Sequence, residues 1–291
     1  LRFSINRIDL DSARFFLINR RGDSSRMLID FNDLRLSGIN AGVNDFRIEE
    51  DSVSMTINGL SFRESKGFTV SNLDTRMILA GGDIVFTDVS LNCDSSLINA
   101  DIIGLYPDTS GSFGKFTQEV RLDIRLNKSL VNSTDLKYFL PVLKNMNEDV
   151  GVSGRVSGYV EELKGRNIQL SYREMTDADL DFDLSGLSDI EDAFIYLGIN
   201  KLNASITDIE KIRLPSGKMI VMPEMLSGLD NISFDGNFTG FTTDFVTFGS
   251  IRTEQGNVRT DISLRPEGKN SFRIKGLISG QSIHLGEITG N

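Results

Sequence analysis

The chain has 291 residues, of which 39% are hydrophobic and 25% charged, with a formal net charge of -10, a pI near 4.8, one Cys and one His. Such acidity argues against a nucleic-acid partner, which needs clustered Lys and Arg. A lone cysteine excludes an intrachain disulfide, a zinc ribbon and a CxxC redox pair, and the absence of any run of 18 apolar residues leaves no candidate transmembrane helix.

Trp is missing, only 5 Pro occur, and 27 Gly join Asn, Asp and Ser between short apolar runs. That mixture predicts many strands linked by tight turns. The chain opens at Leu1 without an initiator Met, a basic leader or an apolar leader core, and it ends at Asn291 in mid-pattern. It is read as a soluble segment of a longer protein, with any anchor or signal outside it. Near the start, Arg21-Gly22-Asp23 spells an adhesion tripeptide but lies between Phe15–Ile18 and Met27–Ile29, where a turn explains it.

Apolar side chains then recur at every second position in Val53-Met55-Ile57, Phe68-Val70, Val89-Leu91-Cys93, Val120-Leu122-Ile124-Leu126, Leu180-Phe182-Leu184 and Ile262-Leu264. Period two predicts half-buried antiparallel strands. Lys66-Gly67, Gly81-Gly82-Asp83, Glu254-Gln255-Gly256-Asn257 and Glu267-Gly268-Lys269-Asn270 are the expected hairpin turns. Cys93 falls on an inward position and reads as a small buried hydrophobe. Residues 107 to 118 are turn-rich and mark a weak boundary, but the alternation continues on both sides, so one continuous β-repeat segment is expected across 1–291.

A helix is predicted from Thr134 to about Asn145, capped by Ser133, with Leu136, Phe139, Leu140 and Leu143 on one side; Pro141 would kink it or confine it to two pieces. A second short helix is predicted over Pro223 to Leu226. Both are read as caps or plugs on sheet edges, or else as crossover helices. Asp177, Asp179, Asp181 and Asp183 alternate with apolar residues, which predicts a solvated face met by cross-strand Arg or Lys.

One template occurs three times: alternate apolar residues lead into Gly-x-apolar-Ser/Thr-Gly and on to a large apolar residue. The copies run Val150 to Leu163, Ile232 to Phe245 and Phe272 to Leu285. Such a repeat marks an array acting through an extended surface. Val152, Val156, Phe234, Phe238, Ile274 and Ile278 are its inward positions, and Leu122, Ile124, Leu180 and Phe182 extend the same set.

Catalytic chemistry finds no footing. His284 is the sole histidine and no Gly-x-Ser-x-Gly elbow, phosphate-binding glycine loop or calcium loop is present. No enzyme, no metal and no cofactor are expected. Five Asn-x-Ser/Thr sequons, at Asn127, Asn132, Asn203, Asn231 and Asn237, follow from a chain rich in those residues.

The repeat strands, the helix with its kinking proline, the stretch from Phe234-Asp-Gly236-Asn-Phe238-Thr-Gly240 through Asp244-Phe245, Gly249, Gly256 and Asp261-Ile262-Ser-Leu264, and Ile48-Glu-Glu-Asp51-Ser52-Val53 with Leu60-Ser-Phe62 and Lys66-Gly67-Phe68 resemble the AsmA/TamB family. The resemblance implies an elongated, twisted antiparallel β-sheet curled into a trough, β-taco-like, with one or two short capping helices. It implies a periplasmic segment of an inner-membrane-anchored protein, which holds or conducts phospholipid acyl chains between the membranes and supports outer-membrane biogenesis beside a barrel partner. The inward residues named above would then form an apolar lipid groove. On alternation alone they could equally pack into a closed core, leaving a structural scaffold or partner-binding array without lipid.

Overall fold

A computed structural model describes residues 2–19, 27–109, 111–187, 189, 192–214, 216–220, 229–267 and 271–281. The chain is mainly β, with fifteen strands among the described residues in one antiparallel sheet. Among the described strands, spatial order follows chain order. Two compact units divide at residues 161 and 162. The first holds β1 (Arg2–Ile18), β2 (Asp33–Glu49), β3 (Ser52–Glu64), β4 (Thr69–Ala80), β5 (Asp83–Cys93), β6 (Leu97–Pro107), β7 (Val120–Asn132) and β8 (Asp149–Tyr159). The second holds β9 (Glu162–Tyr172), β10 (Thr176–Ser185), β11 (Phe194–Ser205), β12 (Asn231–Gly240), β13 (Phe245–Thr253), β14 (Gly256–Pro266) and β15 (Phe272–Gln281).

Gly81-Gly82 joins β4 to β5 as a two-residue turn, and Glu254-Gln255 joins β13 to β14. Such connections need no crossover, which is why the order is sequential. Residues 107–118 hold a 3-10 turn, Ser112–Lys115, and α1 (Phe116–Glu119), between strands that pair with each other.

Strict alternation fails at a series of turn-over residues. In β3 the inward positions are Met55 and Ile57, then Leu60 and Phe62, and the switch falls at Gly59 (φ +63°). In β5 they are Ile84 and Phe86, then Val89 and Leu91, with the switch at Asp88 (φ +52°). Each extra residue is a bulge that reverses which parity faces inward. Neighbouring Asx side chains satisfy several of the freed groups. Asp74 Oδ1 accepts from Gly59 N at 2.7 Å, Asp181 Oδ1 from Asn167 N at 2.7 Å, and Asn40 Oδ1 from Ser12 N at 2.9 Å.

The predicted helix is two short pieces, α2 (Ser133–Leu136) and a 3-10 turn, Pro141–Asn145, because Pro141 lacks the N–H that continuation requires. Its cap is Asn132 and not Ser133: Asn132 Oδ1 accepts from Thr134 N at 2.7 Å, whereas Ser133 Oγ accepts from Glu148 N. Asn132 wins because it holds the extended backbone of an N-cap, φ -101° and ψ 136°. An unanticipated helix, α3 (Ile206–Glu210), follows β11. Arg21-Gly22-Asp23, the segment Pro223 to Leu226, the turn at Gly268 to Asn270 and His284 lie outside the described residues.

Candidate apolar binding face

Residues paired directly across antiparallel strands share a face, so the registers of the first unit sort its side chains into rows. One row reads Phe3, Ile48, Val53, Leu79, Ile84, Leu105, Leu122 and Gly158. The next reads Met55, Met77, Phe86, Ile103, Ile124 and Val156. Leu122, Ile124, Val152 and Val156 thus stand on one side. The opposite side carries Arg76, Thr87, Asp123, Arg125 and Arg155, with Arg155 Nε on Asp123 Oδ1 at 3.0 Å.

Depth varies along this face. Leu122 is only 8% exposed, and Ile57, Val89 and Ala100 are buried with it. Every member of the Met55 to Val156 row is half-buried, and so is Val152. Apolar groups at that depth are partly covered by their neighbours and keep part of their surface accessible.

At one end of the strands the same face is filled. Ile29, Phe68, Val70 and Cys93 form a buried cluster, with Phe31, Leu34, Phe62, Leu73, Leu91, Tyr138 and Phe139 against it. Tyr138 and Phe139 meet the Phe68 ring edge-on at 5.4 and 5.5 Å. Leu28 and Ile29 donate their N–H groups to the Tyr138 carbonyl, fixing the segment in place. The α2 segment therefore plugs the sheet's face at one end and does not cover an edge. Burial of Cys93 there pushes its thiol up to about 12, so it stays protonated and inert.

The second unit repeats the arrangement. One row reads Gly165, Phe182, Leu197, Phe238, Thr247, Ile262 and Gly276, and the next reads Ile168, Leu180, Ile199, Gly236, Gly249, Thr260 and Ile278. Phe234 and Ile274 belong to flanking rows of the same side. Leu180 is 9% exposed, and Phe182, Phe234 and Phe238 are half-buried. Ile274 keeps the inward register but is 68% exposed, since no described residue pairs beyond β15. Ile278 is placed by its backbone alone, its side chain lying outside the described set.

The repeat's glycines answer to close approach across strands. A Cβ on Gly240 (φ +137°) would sit 2.3 Å from the Asp244 carbonyl oxygen, and one on Gly276 2.0 Å from that of Asp261. Elsewhere glycine makes room for a ring: Phe234 lies over Gly249 and Phe182 over Gly165. The repeat's own glycines thus permit close backbone approach, and glycines on neighbouring strands make room for rings.

On the outer side of the second unit the alternating aspartates find the expected partners. Lys201 Nζ and Asn203 Nδ2 reach Asp177 at 3.2 and 3.1 Å, Asn200 reaches Asp179, and Arg166 pairs with Asp183. The Asn203 hydrogen bond, followed by Lys201, lowers the Asp177 carboxyl below its ordinary value. Among the described residues no group of three His, Cys, Asp or Glu side chains is placed to hold a metal.

The residues missed from sequence are the turn-over positions Asp88, Asn167 and Gly59 and the plugging residue Tyr138, next to Phe139, which was read on the apolar side of the helix. The first left a trace, a one-residue slip in the apolar alternation at an Asn, Asp or Gly. No helix among the described residues is long and apolar enough to cross a membrane. Comparison with family models, with curated proteins and with solved structures gives no significant match, so the sheet and its apolar rows stand as the basis for a functional reading.

Proposed function

We infer that the apolar face binds the acyl chains of phospholipids, in keeping with the AsmA/TamB resemblance, and that the protein acts as a carrier or conduit in the periplasm and not as an enzyme. The observation that carries this reading is the row Met55, Met77, Phe86, Ile103, Ile124 and Val156, apolar at every strand from β3 to β8 and half-buried throughout. Six strands spaced by about 4.8 Å give a row of roughly 24 Å. One leaflet of a hydrocarbon core of about 30 Å is roughly 15 Å, so an extended acyl chain fits along three or four strands.

Burial would contribute about 0.8 kcal/mol per CH₂. Successive strands offer similar aliphatic, Met and Phe contacts, and Met adapts its shape at little cost. A chain can therefore shift along the row without crossing a large barrier. A structural scaffold is the second reading, favoured by the filled end where Phe68, Tyr138 and Phe139 meet.

Site-specific photo-crosslinking separates the two. A photoreactive residue at Ile103, inward, is expected to label with phospholipid from vesicles, and one at Ile102, on the other side of β6, is not. Equal labelling, or none at either site, would refute lipid binding by this face.

A further inference from the structure

The polar side of the second unit holds a cleft of about 540 Å³, spread over β9 to β12. That volume falls in the range of small-molecule sites, about 300–1,000 Å³. Register explains where it lies. Asp181, Gly198 and Asn237 stand opposite one another on β10, β11 and β12, in a row facing away from the apolar side. Gly198 has no side chain, so the row sinks at its centre. Tyr196 shares that side two residues back on β11 and leans into the gap. A Cβ on Gly198 would lie 3.4 Å from the Tyr196 hydroxyl oxygen and 3.7 Å from Asn237 Oδ1. Ring and amide thus meet over one bare stretch of backbone.

Tyr106 and Gly104 of the first unit repeat this geometry with a different outcome. Tyr106 also lies over a glycine two residues away, and Asp123 stands across from Gly104 as Asp181 does from Gly198. There, however, the Arg121 guanidinium covers the Tyr106 ring at 4.4 Å. Among the described residues no cation or ring stacks on Tyr196, which is 37% exposed. One tyrosine is covered by its own chain and the other is open. The groups around the open ring also keep hydrogen-bonding capacity. Asp181 Oδ1 accepts from Asn167 N at 2.7 Å, which leaves the second carboxylate oxygen able to accept. The Asn237 amide makes no hydrogen bond among the described residues, its backbone carbonyl alone accepting from Thr247.

We propose that this cleft binds a neutral saccharide, with a pyranose stacked on the Tyr196 ring and its hydroxyls met by the side chains around it. A pyranose has an apolar C–H face and a rim of hydroxyls that both donate and accept. The phenol ring suits the face; on the rim Asn237 donates and accepts, Asp181 accepts and Arg166 donates. Charge narrows the class of ligand. Arg166 pairs with Asp183 and Asp235 with Arg252, which leaves the Asp181 carboxylate to repel an anion. The Arg166 guanidinium, in the same cleft as Tyr196, repels an organic cation, and no three His, Cys, Asp or Glu side chains among the described residues converge to hold a metal ion. An uncharged polyhydroxyl ligand fits what is left. The polar side alone carries this proposal, which stands whether or not the apolar face binds lipid.

Saturation-transfer NMR of the 291-residue chain with maltotriose, cellotriose, mannotriose and N-acetylchitotriose tests it, followed by titration of the trisaccharide that binds most tightly. Transfer to the ring C–H protons of at least one sugar is expected. Tyr196→Ala is expected to raise its Kd about tenfold and Asn237→Ala about fivefold, whereas Tyr196→Phe, which keeps the ring, is expected to change it by less than about threefold. Tyr106→Ala, whose ring is already covered, is expected to bind like the parent. Asn237 is exposed on the sheet surface, so its variant reports on the cleft even where Tyr196→Ala fails to fold. No transfer to any of the sugars, or an affinity unchanged in a folded Tyr196→Ala or in Asn237→Ala, overturns the proposal. So does displacement of the sugar by inorganic phosphate, which would mark an anion site.

Discussion

The Phe182 ring lies over Gly165, its cross-strand partner, so closely that a Cβ on Gly165 would come within 2.2 Å of Phe182 Cε1. The glycine on β9 therefore provides the space that the aromatic on β10 occupies, and the ring shields a backbone that glycine leaves bare. Gly165→Ala is expected to destabilise by about 1–3 kcal/mol through overpacking. In a Phe182→Ala background the same change is expected to cost far less, since the two positions are coupled. Urea denaturation of the four chains measures this, and additive effects would contradict the contact.

Cys93 sits in the plugged end with its thiol raised to about 12 by burial. Thiol reagents attack the thiolate, so labelling of the native chain at pH 8 is expected to be negligible and to become complete in denaturant. Rapid native labelling would show that the cluster around Phe68 is not packed as described.

Asn132 both caps α2 and donates to Asp149 Oδ1 at 2.7 Å from a buried position. Asn132→Ala is expected to cost about 1–3 kcal/mol. Ser133→Ala loses the bond from Glu148 N and is expected to cost about 1 kcal/mol. Denaturation midpoints in the reverse order would restore Ser133 as the cap.

The Asp177 carboxyl titrates below its ordinary value of 3.8 in the folded chain, chiefly through the Asn203 hydrogen bond. A lowered carboxyl means that the folded state binds fewer protons than the unfolded one, so stability rises with pH across this range. Its contribution is complete above the ordinary value and is lost as pH falls through the folded one. Asp177→Asn is expected to flatten the fall in stability between about pH 5 and 2, by an amount that solvent screening keeps small. An unchanged pH profile would show that the Asp177 contacts do not persist in solution.

How far the sequence reached depends on what sets each feature. Val152, Val156, Leu122, Ile124, Leu180, Phe182, Phe234 and Phe238 all fall on the inward side of their units, because period-two alternation is fixed by the backbone itself. Gly81-Gly82 and Glu254-Gln255 were readable as turns for the same local reason. The reversals at Asp88 and Asn167 were not read, since a bulge is one residue long and breaks the pattern it interrupts. The union of Phe68 with Tyr138 and Phe139 spans some seventy residues, and no periodicity reports a contact at that distance. The plug was read from sequence, but its partner Phe68 and its seat on the face in place of an edge became visible only in three dimensions, and with them the difference between a filled end and a half-buried row.

Lipid content measured by native mass spectrometry tests the central claim most directly, comparing the parent chain with Ile124→Asp, inward on β7, and Arg125→Asp, its outward neighbour. Phospholipid is expected on the parent and on Arg125→Asp and its loss from a folded Ile124→Asp, because a carboxylate in the row forfeits apolar contact and must stay hydrated. Phospholipid retained by Ile124→Asp at the parent level, or absent from the parent after exposure to vesicles, would contradict it.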